Sequence, residues 1–195
     1  MFTLRKSKTV SADASQSLFE DLIRQHQASI YRVAYRLTGN HEDAEDLVQE
    51  ALIEAYEAFG KFRAGTYFDR WLFRILRNTY IDGTRARPKV TLHSLDAPLA
   101  NEEGSPLSRE VMDWSGHPET RMLASALDEP IQQALMSLPE DFRLVVVLSD
   151  MEGLSYEEVS RIAGCPVGTV RSRLHRARML LKEKLRGVIP IRDTR

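Results

Sequence analysis

The sequence predicts an all-α protein: two small helical domains joined by a flexible linker, the C-terminal one a helix-turn-helix. Three observations predict it. Apolar residues recur at three- and four-residue steps in both halves of the chain, with almost no alternating strand pattern. That periodicity dissolves between about Val90 and Ser125, where prolines, glycines and acids accumulate. Near the C-terminus, two short helical patterns meet at "GCPVG", and the second is loaded with arginine.

Residues 1–15 read as a tail and 16–89 as the first domain. Phe19, Leu22, Ile23, Ile30, Val33, Ala34 and Leu37 form the apolar stripe of a first helix, which "TGN" stops. Asn40 can cap a second helix, with Asp43 three residues on as a weaker capping box; Ala44, Leu47, Val48, Ala51, Leu52, Ala55 and Phe59 form its buried stripe. Its acids decorate the opposite face. After "RAGTY" a third stripe follows as Phe68, Trp71, Leu72, Ile75, Leu76 and Thr79, and "DGTRARPK" ends it. Arg70, Arg74, Arg77 and Asn78 turn away from that stripe, and Phe62, Tyr67 and Tyr80 fit it poorly. Aromatic rings off the core face, interleaved with Lys61, Arg63, Arg74 and Arg77, are the combination single-stranded nucleic acid needs: bases stack on rings and cations hold phosphates.

Residues 90–125 read as an acidic linker, with a short helical turn near Leu107 to Met112. Fully extended, its 36 residues reach at most about 120 Å. Two helical turns of DNA span about 70 Å, so the flanking domains can occupy separate sites on one duplex.

The second domain is expected over 126–187, with 188–195 as a tail. Leu127, Ile131, Ala134, Leu135 and Leu138 share one helical face; Pro139 opens the next helix, with Phe142, Val145, Val146 and Met151 on its apolar side. In "GLSYEEVSRIAG", Ser155 is a cap with Glu158 as its capping-box partner, Val159 and Ile162 point inward, and Gly164 ends the helix. In the following helix Val170, Leu174, Ala177, Leu181 and Leu185 share the buried face. Arg171, Ser172, His175, Arg176 and Met179 fall opposite. A major groove admits one α-helix, and arginine can bond the guanine edge with both prongs. Arg171 and Arg176 are therefore candidates for base edges, with Ser172 and His175 beside them; Arg173, Arg178 and Lys182 are placed to hold phosphates.

A formal net charge of only −1 hides strong segregation. Seven acids and no lysine or arginine lie between His41 and Ala58; from Lys61 to Lys89 eight basic residues face two acids; from Val90 to Thr120 six acids face Arg109 alone. One surface suits a basic partner and two suit a polyanion. The single Cys165 excludes an internal disulfide, and the five histidines show no metal-ligand spacing, so neither a metal nor another cofactor is expected. No apolar run approaches the roughly 20 residues of a membrane helix, and the N-terminus lacks a secretory signal, which predicts a cytoplasmic protein with no membrane insertion of its own.

Two motifs, "DAEDLVQEALIEAYEAFGKF…WLFRILRNTYID" and "LPEDFRLVVVLSDMEGLSYEEVSRIAGCPVGTVRSRLHRAR", together resemble the bacterial extracytoplasmic-function (ECF) sigma factors, the promoter-specificity subunits of RNA polymerase. The resemblance implies that Asp46, Gln49, Glu50 and Glu54 meet the coiled coil of the polymerase's largest subunit, and that the polymerase flap is a further partner. It implies that Lys61, Phe62, Arg63, Tyr67, Arg74, Arg77 and Asn78 read and open the start-proximal promoter box, Phe62 and Asn78 handling an unstacked base. It implies that Arg171, Ser172, Arg173, His175, Arg176 and Arg178 serve the distal box, that an anti-sigma protein holds the chain inactive, and that the chain catalyses no covalent change. The alternatives are a helix-turn-helix regulator that is not a polymerase subunit, and a DNA-acting enzyme such as a recombinase. The first 89 residues lack a receiver's alternating strands, and no nucleophile-base-acid constellation is visible.

Overall fold

The computed structural model describes residues 7–62, 66–86 and 128–186, and each element among them is helical. The expected linker with its turn at Leu107 to Met112, the loop residue Arg63, Leu127 and both chain ends lie outside the described residues.

Helix α1 covers Ser7–Thr38 and so begins within the stretch read as a tail. It buries Phe19, Ile23, Ile30, Val33, Ala34 and Leu37, with Leu22 half-buried. It stops where Gly39 takes φ +92°, a left-handed conformation in which an L residue is strained. A Cβ there would also meet the Met136 sulfur at 2.7 Å. Helix α2 covers His41–Ala58 and has the expected cap: Asn40 Oδ1 accepts from the Asp43 backbone N–H at 2.8 Å, and Asn40 Nδ2 donates to the Asp43 carboxylate at 2.8 Å. A 3₁₀ turn, Phe59–Lys61, leads toward α3, Phe68–Ala86, and α1, α2 and α3 pack pairwise.

The stripe of α3 is broader than its periodicity suggests. Phe68, Leu72, Leu76 and Thr79 are buried as expected, but so are Phe73 and Tyr80, while Trp71 and Ile75 are half-buried. The assignment of Tyr80 to the wet edge is therefore corrected: its hydroxyl donates to the Leu37 carbonyl at 3.2 Å. The reason is a second neighbour, since α3 packs against α1 and α2 on one side and the C-terminal half of the chain on another.

That half consists of α4 (Asp128–Met136), α5 (Glu140–Val146) running into a π-helical turn (Val147–Met151), α6 (Tyr156–Ala163) and α7 (Val167–Leu185). Pro139 precedes α5, as expected. The π turn takes an additional residue per turn and shifts the register beyond it, so Met151, expected on the apolar face, is 37% exposed. In α6, Ser155 Oγ accepts from the Glu158 backbone N–H while the Glu158 carboxylate accepts from the Ser155 N–H, and Gly164 closes the helix at φ +64°. In α7, Val170, Leu174 and Ala177 are buried and Leu181 and Leu185 half-buried.

Both predicted helical units are present, and they also share an interface that periodicity does not indicate. Their buried apolar residues form one continuous cluster. Arg143, 6% exposed, sits at the junction of two helix C-termini and donates to the carbonyls of Leu37, Leu135, Met136 and Leu138 and to the Tyr80 hydroxyl. The last carbonyls of a helix have no partner within it and carry its negative end, so one guanidinium suits both helices. Gln132 accepts from Arg36 and donates to the Tyr35 carbonyl. Arg32 grips Glu152 with two bonds of 2.7 and 2.8 Å, and Ser29 adds a third at 3.2 Å.

Candidate nucleic-acid interface

The basic helix α7 follows the capped α6 across the left-handed Gly164 and buries Val170 and Leu174 in its first turns, which leaves their opposite face to solvent. Arg171, Ser172, His175, Arg176 and Met179 are all exposed, as its angles predict. The two flanking arginines are anchored instead. Arg173 pairs with Asp141 at 2.6 Å and points another nitrogen at Cys165 Sγ, 3.7 Å away. Arg178 makes bonds of 2.9 and 2.6 Å to the two oxygens of Asp150, which hold its pKa above the ordinary arginine value. Either arginine must exchange a carboxylate for a phosphate if it is to hold DNA.

At the other candidate site Lys61 is exposed and Tyr67 is 69% exposed, with the Arg70 guanidinium 4.0 Å above its ring. Phe62 is half-buried among aromatics: Phe59 lies parallel at 5.7 Å, Phe68 stands perpendicular at 5.3 Å, and Trp71 is tilted at 5.2 Å. One part of the ring is fixed while the rest stays accessible. Arg74 and Asn78 are exposed, and with Arg70 they fall at four-residue steps along one face of α3. Arg77 is half-buried, donating to Asn78 Oδ1 and to the Ala163 carbonyl, each at 3.0 Å.

On α2 the predicted Asp46, Gln49, Glu50 and Glu54 are all exposed on one face. Burial pushes the Glu54 pKa up; a hydrogen bond from Thr79 opposes this, and repulsion by Glu50, Asp82 and Glu57 adds to it. A cationic partner would relieve that repulsion. Periodicity missed Ile53, which is 47% exposed amid these acids and lies outside the buried stripe. Periodicity does turn Arg70 away from the α3 stripe, but Arg70 is absent from the candidate site, because its contacts with Tyr67 and Glu158 are not signalled by any motif. Among the described residues no three potential metal ligands stand together, and no helix is long and apolar enough to cross a membrane.

Comparison with known proteins bears on the whole arrangement. The family model described as Sigma-70 region 2 matches residues 22–89, and that described as Sigma-70, region 4 matches residues 128–181. The chain is 41% identical over 172 residues to the ECF RNA polymerase sigma factor SigE of Mycolicibacterium smegmatis; the match covers 88% of the chain but 63% of that protein. It is 37% identical over 173 residues to the ECF RNA polymerase sigma factor SigW of Bacillus subtilis, covering 89% of the chain and 91% of SigW. Among solved structures, the sigma factor RpoE of Bartonella quintana, in complex with the anti-sigma factor NepR, superposes with a TM-score of 0.64 at 30% identity, over 87% of this chain and 97% of RpoE. With an acidic face on one helical unit, a basic probe helix on the other, and both family regions matched in order, the chain belongs to the ECF sigma factors, initiation factors that direct RNA polymerase to promoters.

Proposed function

We propose that this chain acts in the cytoplasm as a noncatalytic subunit, docking on core RNA polymerase through α2 and reading two promoter boxes, one with each helical unit. Asp46, Gln49, Glu50 and Glu54 meet a basic coiled coil of the largest polymerase subunit, and Ile53 supplies an apolar anchor at the centre of that contact. Arg171 and Arg176 reach base edges of the distal box, Ser172 and His175 lie beside them, and Arg173 and Arg178 grip phosphates. Lys61, Arg63, Tyr67, Arg74, Arg77 and Asn78 hold the start-proximal box, where Phe62 stacks an unpaired base. An anti-sigma protein, of the kind bound to the Bartonella relative, holds the chain inactive.

The observation that carries this reading is the separation of charge by element, acids on α2 and cations on the outer face of α7, each exposed on a fixed helical scaffold. Each half alone binds weakly and with strong salt dependence, log affinity falling by about 0.9 per phosphate neutralised. Joined through the polymerase, the two contacts reinforce each other only on DNA carrying both boxes at the correct spacing. Unstacking costs a few kcal/mol per base, which capture and stacking offset.

Core polymerase immobilised on beads is expected to retain the wild type and to lose the Asp46→Lys, Glu50→Lys double variant. The wild type is also expected to let core enzyme start transcripts from genomic promoters. Indifference of the wild type to core enzyme in both assays would sink the reading.

A further inference from the structure

The arginines of α7 divide by position. Arg171 and Arg176, on the outer face, have no carboxylate partner among the described residues. Arg173 and Arg178 lie about 140° apart around the helix, one at either edge of the buried Val170, Leu174 and Ala177. Each edge is closed by an acid from α5, the element on which α7 packs. Asp141, in the first turn of α5, bonds Arg173 at 2.6 Å. Asp150, in the π turn that continues α5, takes Arg178 with two bonds of 2.9 and 2.6 Å. The turn that exposes Met151 therefore also sets where Asp150 points.

A carboxylate and a phosphate offer an arginine the same fork of anionic oxygens at the same distance. Exposed ion pairs usually contribute little, but a guanidinium held by both oxygens of one carboxylate is the exception. In the free chain each flank arginine already has its anion, whereas the two arginines assigned to base edges do not.

We propose that Asp141 and Asp150 stand in for backbone phosphates and withhold Arg173 and Arg178 from duplex DNA of arbitrary sequence. This rests on the reading of α7 as the helix that enters the distal box. Non-specific binding is almost wholly phosphate contact. A phosphate met at the rim of α7 only replaces a carboxylate already in place, and leaves that acid unpaired beside the DNA. Where Arg171 and Arg176 find base edges, α7 is drawn into the groove, phosphates close on both of its flanks, and their proximity offsets the exchange. Asp141 and Asp150 are thus positioning residues, acting on DNA through the arginines they hold.

The test uses the full-length chain and a fluorescein-labelled random-sequence duplex, its affinity read by anisotropy between about 50 and 200 mM salt. Asp141→Asn and Asp150→Asn are each expected to bind about tenfold more tightly than wild type at the lower salt, the equivalent of one charge-assisted hydrogen bond. Each is also expected to steepen the fall of log affinity with log salt by about 0.9, one phosphate more. Glu140→Gln removes the same charge one residue from Asp141, at an exposed site with no cation partner among the described residues, and is expected to leave that slope unchanged. Adding Arg178→Gln to Asp150→Asn is expected to abolish the steepening, while adding Arg173→Gln is not. Circular dichroism checks that helix content persists in each variant. A wild-type slope in both asparagine variants overturns the proposal. So does a gain that survives in the Asp150→Asn, Arg178→Gln variant, because loss of one acid near DNA then explains it. The Arg171→Gln, Arg176→Gln variant separates the two levels: wild-type duplex binding by it defeats the reading of α7, whereas weakened binding alongside either negative result defeats only the withholding.

Discussion

Among single side chains, the closed arrangement turns on Arg143. Its guanidinium is buried and satisfies carbonyls from both helical units; without it the Leu37 carbonyl keeps the Tyr80 hydroxyl and the Leu135 carbonyl keeps the Leu138 N–H, but the Met136 and Leu138 carbonyls lose the donor it supplies. Each buried, unsatisfied acceptor costs about 1–3 kcal/mol. Lysine keeps the charge but presents a compact ammonium in place of the planar fork. Arg143→Lys is therefore expected to lower unfolding stability by roughly 2–4 kcal/mol in urea titration, while Arg24→Lys, at an exposed site, stays within about 0.5 kcal/mol. Equal midpoints for the two variants would strip Arg143 of this role. The sequence could not announce it. Arg143 sits in "PEDFRLVVV" as one cation at the edge of an apolar run, and its Leu37 partner lies 106 positions away. Tyr80 was misread for the same reason, since its hydroxyl is satisfied 43 positions away. By contrast, the caps at Asn40 and Ser155 were legible because both partners of each bond lie three residues apart.

Within single elements, α6 joins local and distant chemistry. Its capping box fixes the helix start, and Arg70 reaches the same carboxylate from α3. Hydrogen bonds from the Ser155 backbone, from Arg70 and from the Ser155 hydroxyl together hold the Glu158 pKa down to about 2, against the opposing pull of burial. The groups facing it are thus Ser155 and Arg70, with Asp69 on the other side of Arg70. A carboxylate whose pKa is depressed on folding adds stability above its unfolded value of about 4.3, and that contribution is lost as pH falls toward 2. Glu158→Gln is therefore expected to be less stable than wild type at neutral pH, and the gap between their urea midpoints is expected to narrow between pH 5 and pH 2. A constant gap across that range would mean that the Glu158 charge adds nothing to the fold. The register of helical stripes was legible along α2 and α7 because 3.6-residue geometry holds throughout them. It failed at Met151, where a π turn inserts into the helix and no residue in "VVVLSDM" signals the change.

Taken as one body, the chain has a charge segregation that was readable and an interface that was not. Blocks of like charge are local in sequence, whereas the contact between α3 and α6 depends on residues 86 to 88 positions apart. That contact has a thermodynamic consequence. The C-terminal unit, residues 128–186, is only 59 residues long, and a unit of that size buries about 60% of its unfolded surface and is marginal alone. Here it adds Leu135, Leu144, Val145, Val147 and Leu148 to a core continuous with Ile30, Leu37 and Leu76. Docking on α1 and α3 supplies burial that four short helices cannot supply to each other. Units joined only by a tether melt independently, while units sharing a core melt together. Calorimetry of the full-length chain is therefore expected to give one transition whose calorimetric and van't Hoff enthalpies agree, and Glu152→Gln, which releases the clasp to Arg32 and Ser29, is expected to separate an earlier melting of the C-terminal unit from that of α1 to α3. Two resolved transitions in the wild type would mean that the shared core contributes little to cooperativity. A single transition in both proteins would place the coupling in the apolar contacts and Arg143, leaving Glu152 a minor part of it.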